Sequence, residues 1–145
     1  MKPFKLQAVL DYRQTLSKIA QQDLCKTLEG EKGLTLKLKE KRSELDKLYS
    51  DFAKLQQDGI TPHELLLYET RCSHKADILA ELEATRDALR KKITAQRQAL
   101  CEKDRDKKLL EKLKEKQTYA YNMMLHKKEA AELDEIATQK HGRST

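Results

Sequence analysis

The feature that most constrains the fold is a single break at residues 58–62, Asp-Gly-Ile-Thr-Pro, between two long charged segments. Thr61 has the hydroxyl of a helix N-cap, Pro62 suits the first helical position, and Glu64 stands where a capping box needs a carboxylate. Gly59 can take the left-handed conformation that ends a preceding helix. One helix therefore ends here and another begins a few residues later, so the chain must double back.

The composition favours long helices packed along a seam over a globular core. Charged residues make up 37% of the 145 residues, aromatic residues make up 5%, and tryptophan is missing. This balance, combined with heptad-like leucine spacing, is typical of coiled coils, whereas disordered chains lack recurring large apolar residues. We predict an all-α fold, an antiparallel two-helix coiled-coil hairpin with a longer C-terminal helix. It forms one domain, with a helix over residues 4–57, a turn over 58–61 and a helix over 62–138.

Apolar residues recur in both segments mostly at the helical steps that place them on one side of a helix. The predicted seam of the first helix is Ala20, Leu24, Thr27, Leu34, Leu38, Leu45, Leu48, Phe52 and Leu55. That of the second is Leu65, Tyr68, Cys72, Leu79, Leu82, Leu89, Ile93 and Leu100, continuing less regularly through Leu110, Leu113, Ala120, Met124, Leu133 and Ile136.

Two further predictions follow from this seam. Residues of an antiparallel pair face each other when their numbers add to about 120, which pairs Leu48 with Cys72. Gly30 and Gly33 lie inside the first helix, where each costs about 1 kcal/mol relative to Ala, so they mark a bend or, alternatively, a break.

The second helix is predicted to outlast its partner. Residues 115–140 have no first-helix segment left to face, yet they keep Tyr119, Met124, Leu133 and Ile136. A helix alone in water gains nothing from apolar residues on its surface. This end of the helix is therefore the best internal indication of a partner.

The net charge of +6 is concentrated in residues 86–116, which contain twelve Lys and Arg but six Asp and Glu. Such a stretch can bind nucleic acid, or it can be the solvated face of a helix. The second interpretation is favoured because stacking aromatic residues are missing from the stretch. No stretch is long and apolar enough to span a bilayer, and the three cysteines lack a paired spacing, which indicates free thiols in a reducing, cytosolic compartment.

The sequence offers no recognisable chemistry. Phosphate-binding loops, nucleophile elbows and zinc-ligand spacings are missing from it. Cys72 and His74 stand two apart on a predicted helix and so point in different directions. We therefore expect no catalytic, cofactor-binding or metal-binding residues, no small-molecule ligand and no enzyme activity.

Several short motifs together resemble those of the FliJ family, which consists of coiled-coil proteins of the bacterial flagellar export apparatus. The family is related to the type III secretion stalk proteins of the YscO kind. Residues 4–13 (Phe-Lys-Leu-Gln-Ala-Val-Leu-Asp-Tyr-Arg) are similar to the family's opening F-x-L-x-x-V-L-x-x-R pattern. Residues 59–61 followed by Tyr68 look like its hairpin tip. Residues 113–116 and 132–135 look like its closing L-x-E-(K/R) and L-D-E elements.

The resemblance implies a non-enzymatic hairpin similar to the rotor coiled coil of rotary ATPases. Its implied partners are the hexameric export ATPase, the cytoplasmic part of the membrane export gate and export chaperones, with no nucleic acid. It implies a cytoplasmic protein, peripheral at the inner face of the inner membrane, that supports flagellar assembly and through it chemotaxis. An equivalent stalk of a virulence type III secretion system and a generic coiled-coil scaffold stay open as alternatives.

The predicted ATPase-binding end combines the start of the first helix with the unpaired end of the second. Its candidate partner-binding residues are Phe4, Leu6, Leu10, Tyr12, Arg13, Tyr121, Met124, Glu132, Leu133, Asp134 and Glu135.

Overall fold

The computed structural model describes residues 3–143, and within them the chain is an all-α hairpin of two helices that pack against each other. Helix α1 spans Gln7–Asp58 and helix α2 spans Pro62–Arg143. The helices divide into two packing units. The tip unit comprises residues 20–99, and the terminal unit comprises residues 3–19 with residues 100–143.

The turn forms as its sequence predicts. Gly59 follows the last residue of α1 and has a φ of 100°, the left-handed conformation expected there. The Thr61 hydroxyl accepts the Glu64 N–H at 3.2 Å and so caps the start of α2. Among the described residues, the reciprocal bond that the Thr61 N–H would donate to the Glu64 carboxylate is not formed, so half of the predicted capping box is present.

The outer helix ends differ from the predicted bounds. Helix α1 begins at Gln7 and not at Phe4, because the Phe4 carbonyl accepts the Gln7 N–H at 3.1 Å in a turn. No Ser, Thr, Asp or Asn precedes Gln7 to cap an earlier start. Helix α2 continues past residue 138 to Arg143, where basic residues in its last turn complement the helix dipole.

In the tip unit the predicted seam is the observed one. The Phe52 and Tyr68 rings pack with centroids 5.5 Å apart, as their numbers predict, and Leu38, Leu48 and Cys72 are buried. All the predicted seam residues of both helices in this unit are buried or half-buried. Helix α1 also runs without interruption through Gly30 and Gly33, so the alternative of a helix break there is wrong.

Ion pairs across the seam fix the same register in the tip unit. Arg90 Nε lies 3.2 Å from Glu31, Arg42 lies 2.8 Å from Glu83, and Lys75 lies 3.4 Å from Glu44. These pairs are substantially exposed, so each stabilises the fold by less than about 1 kcal/mol. Their value is that they exclude any register shifted by a helical turn.

One part of the predicted seam is wrong, and it lies in the terminal unit. The predicted seam residues that are exposed and not packed between the helices are Leu113, Ala120, Met124, Leu133 and Ile136. Leu110 is half-buried as predicted, and the half-buried positions beyond it include Gln117 and Tyr121. The seam therefore continues from Leu110 through Gln117 to Tyr121, and Leu113 stays on the surface.

Candidate partner-binding surface

Three polar contacts pair α1 with α2 in the terminal unit. The Ser17 hydroxyl donates to Asp104 Oδ1 at 2.5 Å, and Ser17 is buried. Arg13 lies 3.4 Å from Asp106, and the Gln117 amide donates to the Pro3 carbonyl at 3.3 Å. The start of the chain is therefore held beside residues 104–117, which confirms the predicted register for this unit too.

The predicted site residues on α1 fall into three environments. Leu6 and Tyr12 are exposed, and Phe4 is half-buried. Leu10 is 2% exposed, so its side chain packs between the helices and a partner could touch it only by displacing α2. Arg13 is half-exposed and already engaged with a carboxylate. The surface that α1 offers is thus narrower than the sequence pattern indicates.

The predicted site residues on α2 lie mostly beyond the end of the helix pairing. Tyr121 is half-buried, and every side chain in residues 122–140, the C-terminal segment, is exposed. Met124 is 57% exposed and Leu133 is 66% exposed. The predicted acidic residues Glu132, Asp134 and Glu135 lie in the same exposed segment. The structure thus places apolar and acidic side chains together on an exposed helix.

Sequence reasoning missed the residues that hold this end of the molecule together. The sequence pattern is typical of ordinary helix-surface positions at Ser17, Asp104 and Asp106. All three nevertheless take part in contacts between α1 and α2. Lys107 adds a contact of 4.0 Å to Asp104. The numbers of Ser17 and Asp104 add to about 120, as do those of Arg13 and Asp106, so the antiparallel register could have identified both as facing pairs.

Two shallow grooves run between the helices at the same end. One is lined by Pro3, Phe4 and Gln7 with Lys114, Gln117, Thr118 and Tyr121. The other is lined by Leu10 and Gln14 with Glu111, Lys114, Glu115, Thr118 and Tyr119. Both combine aromatic and charged side chains, which suits recognition of a protein surface.

The basic stretch at residues 86–116 is partly neutralised within the chain. Arg86 pairs with Asp87 at 3.2 Å, and Arg90 pairs with Glu31. Lys107 contacts Asp104. The other cations of the stretch form no ion pair within residues 3–143, so part of the excess positive charge faces solvent.

Two other features are absent from the described residues. No group of three or more His, Cys, Asp or Glu side chains there is arranged to hold a metal ion. No helix in the same part of the chain is long and apolar enough to cross a membrane. The three cysteines are free thiols, with Cys72 buried on the seam as predicted and Cys25 and Cys101 exposed.

Comparison with known proteins gives one match. The family model described as "Flagellar FliJ protein" matches residues 1–145. No curated protein and no solved structure matches significantly.

Proposed function

Because the chain belongs to the FliJ family and is a component of the flagellar protein export apparatus, we propose that it is a non-enzymatic protein that binds the hexameric export ATPase. The observation that carries this proposal is the C-terminal segment, residues 122–140, whose apolar residues are exposed along its whole length. Exposed apolar side chains of this number are a cost to a monomer in water and a gain at an interface. The acidic residues beside them add specificity and association rate more than affinity.

Exposed residues at the start of α1 also support an ATPase-binding site in the terminal unit. Tyr12 is 60% exposed and Leu6 is 41% exposed, and both belong to the terminal unit with the C-terminal segment. Tyrosine is enriched among residues that dominate binding energy. The proposed ATPase site therefore combines Leu6 and Tyr12 with Met124 and Leu133, flanked by Arg13.

Two further contacts complete the proposal. The protein also binds the cytoplasmic part of the membrane export gate, which places it in the cytoplasm at the inner face of the membrane, and it binds export chaperones. Exposed Leu66 and Leu67 beside the turn give the tip unit an apolar surface of its own. An apolar surface in each of the two units supports a protein that connects the ATPase to the gate.

The test is a binding titration of the purified chain with the export ATPase. Leu133→Asp puts a charge into the proposed interface and should weaken binding by about 100-fold or more. Leu66→Asp is the matched control, because Leu66 is 62% exposed and Leu133 is 66% exposed while the two lie in different units. Equal losses from both variants, or no loss from Leu133→Asp, would overturn the proposed site.

A further inference from the structure

One face of the terminal unit is apolar and exposed. The Arg13–Asp106 ion pair marks this face, because Val9 lies four residues before Arg13 and Leu109 three residues after Asp106. Leu113 continues the same line by one further turn. The residue numbers of Val9 and Leu113 add to about 120, so the antiparallel register sets them across from each other. Tyr12 and Leu109 are related in the same way, and all four side chains are at least 42% exposed.

Cations border this face along α2. Arg105, Lys108 and Lys112 follow one another at steps of three and four, the spacing that aligns side chains along a helix. All three are exposed, and none forms an ion pair within residues 3–143. An occupant of the face must therefore supply apolar side chains together with negative charge.

The C-terminal segment has this chemistry. Leu125, Glu129, Glu132 and Ile136 follow one another at steps of four, three and four on one side of α2, with Leu133 beside them. The two glutamates form no ion pair within the described residues, and the three apolar side chains are all exposed. The chain thus carries both an apolar, cation-bordered face and an apolar, acidic helix.

The charges of the two features match when two α2 helices run antiparallel. Arg105 then faces Glu135, Lys108 faces Glu132, and Lys112 faces Glu129, because the numbers in each pair add to about 240. The same alignment sets Leu109 near Leu133. We infer that the C-terminal segment of one copy docks antiparallel on this face of a second copy, so that the chain forms a symmetric dimer in the absence of other partners. Each contact then occurs twice, as a two-fold axis requires.

Self-association would cover the surface proposed for the ATPase. A docked segment cannot bind another protein at the same time, so dimerisation and ATPase binding compete. The inference does not rest on the proposed function, since it concerns the isolated chain. Dimerisation can fail while ATPase binding holds, and the reverse.

The first test is sedimentation of the full chain by analytical ultracentrifugation over a range of concentrations. Lys112→Glu and Glu129→Lys should each raise the dimer dissociation constant by about tenfold or more, because each places like charges together at two symmetric contacts. The double variant restores both pairs and should return the constant to near its original value. Lys32→Glu, an exposed change in the tip unit, should leave it unchanged.

The second test is disulfide cross-linking, which reports the register directly. Tyr119 lies one residue from the two-fold axis of the alignment and one heptad after Lys112, on the same side of α2, so Tyr119→Cys in a Cys25→Ser background should form an intermolecular disulfide on oxidation. Native Cys101 is exposed but would stand about 60 Å from its counterpart, so it should not cross-link.

Three results would overturn the inference. They are a chain that stays monomeric at all concentrations, a double variant no better than its parents, and a cross-link through Cys101 that forms as readily as the one through the thiol introduced by Tyr119→Cys. A monomer that binds acidic phospholipid vesicles through Arg105 and Lys112 would assign the face to a lipid surface instead, and would also overturn it.

Discussion

Replacing the three glycines of the tip unit by alanine should change stability in opposite directions. Gly30 and Gly33 are exposed inside α1, and a Cβ at either position would meet no atom within 4 Å. Alanine there should stabilise the fold by about 1 kcal/mol each, because glycine loses more backbone freedom on folding. Both changes act through the freedom of the backbone, so the double variant should be more stable by about 2 kcal/mol.

Gly59 is the matched control, because a Cβ there would also meet nothing within 4 Å. Its φ of 100° is unfavourable for any residue with a Cβ, so Gly59→Ala should destabilise the fold by about 1–2 kcal/mol. A Cβ would meet no neighbouring atom at any of the three positions, so the opposite signs come from the local backbone conformation.

The assay is urea unfolding followed by helical circular dichroism. Each change should move the midpoint and leave the slope with urea concentration unaltered, since the surface exposed on unfolding stays the same. A loss of stability in Gly30→Ala or Gly33→Ala would refute an uninterrupted helix through these residues. A gain in Gly59→Ala would refute the left-handed end of α1.

Three other substitutions test single contacts. Gln96→Leu should stabilise the fold by about 1 kcal/mol in the same unfolding assay, because the Gln96 Oε1 atom is buried with no hydrogen-bond partner among the described residues. Thr61→Ala should destabilise it by about 1 kcal/mol, because the hydroxyl caps α2. The pKa of the Glu44 carboxyl is lowered, first by the charge of Lys41 and second by a hydrogen bond from Lys75. Because this pKa is lowered in the folded protein, Glu44 contributes to the free energy of unfolding above its unfolded pKa, and the contribution is lost as pH falls through its folded pKa. Glu44→Gln should therefore make stability decline less steeply in acid.

The turn and the register could be predicted because they depend on local chemistry. Gly59 and Thr61 each have a conformation or a hydrogen bond that few residue types can supply, so their positions determine where α1 ends and α2 begins. Once the turn is placed, antiparallel pairing follows from counting. The burial of Cys72 opposite Leu48 was predictable for this reason.

The seam of the terminal unit could not be predicted from apolar spacing. Leu110 is on the seam as predicted, but beyond it the helices pack along Gln117 and Tyr121 and not along Leu113 and Ala120. Part of the contact there consists of hydrogen bonds and ion pairs, such as that of Ser17 with Asp104, which leave no hydrophobic period in the sequence. A pattern search that counts apolar residues misses such a seam, and it misses the exposed leucines that result.

The outer helix ends and the burial of Leu10 could not be predicted from the sequence either. Helix ends depend on caps and fraying, and Phe4 is held in a turn by a single backbone hydrogen bond. Leu10 belongs to the family-like opening motif, yet it is buried between the helices. A motif records which residues recur together and does not separate those that pack from those that bind.

The most direct test of the proposed ATPase site is hydrogen exchange of the chain with and without the export ATPase. Amides of an exposed helix that lacks tertiary packing open readily, so residues 122–140 should exchange quickly in the isolated protein. Binding at the terminal unit should slow exchange there and around Tyr12, and leave the region of Leu66 unchanged. Protection confined to the turn region, with residues 122–140 still exchanging at their original rate, would contradict the account.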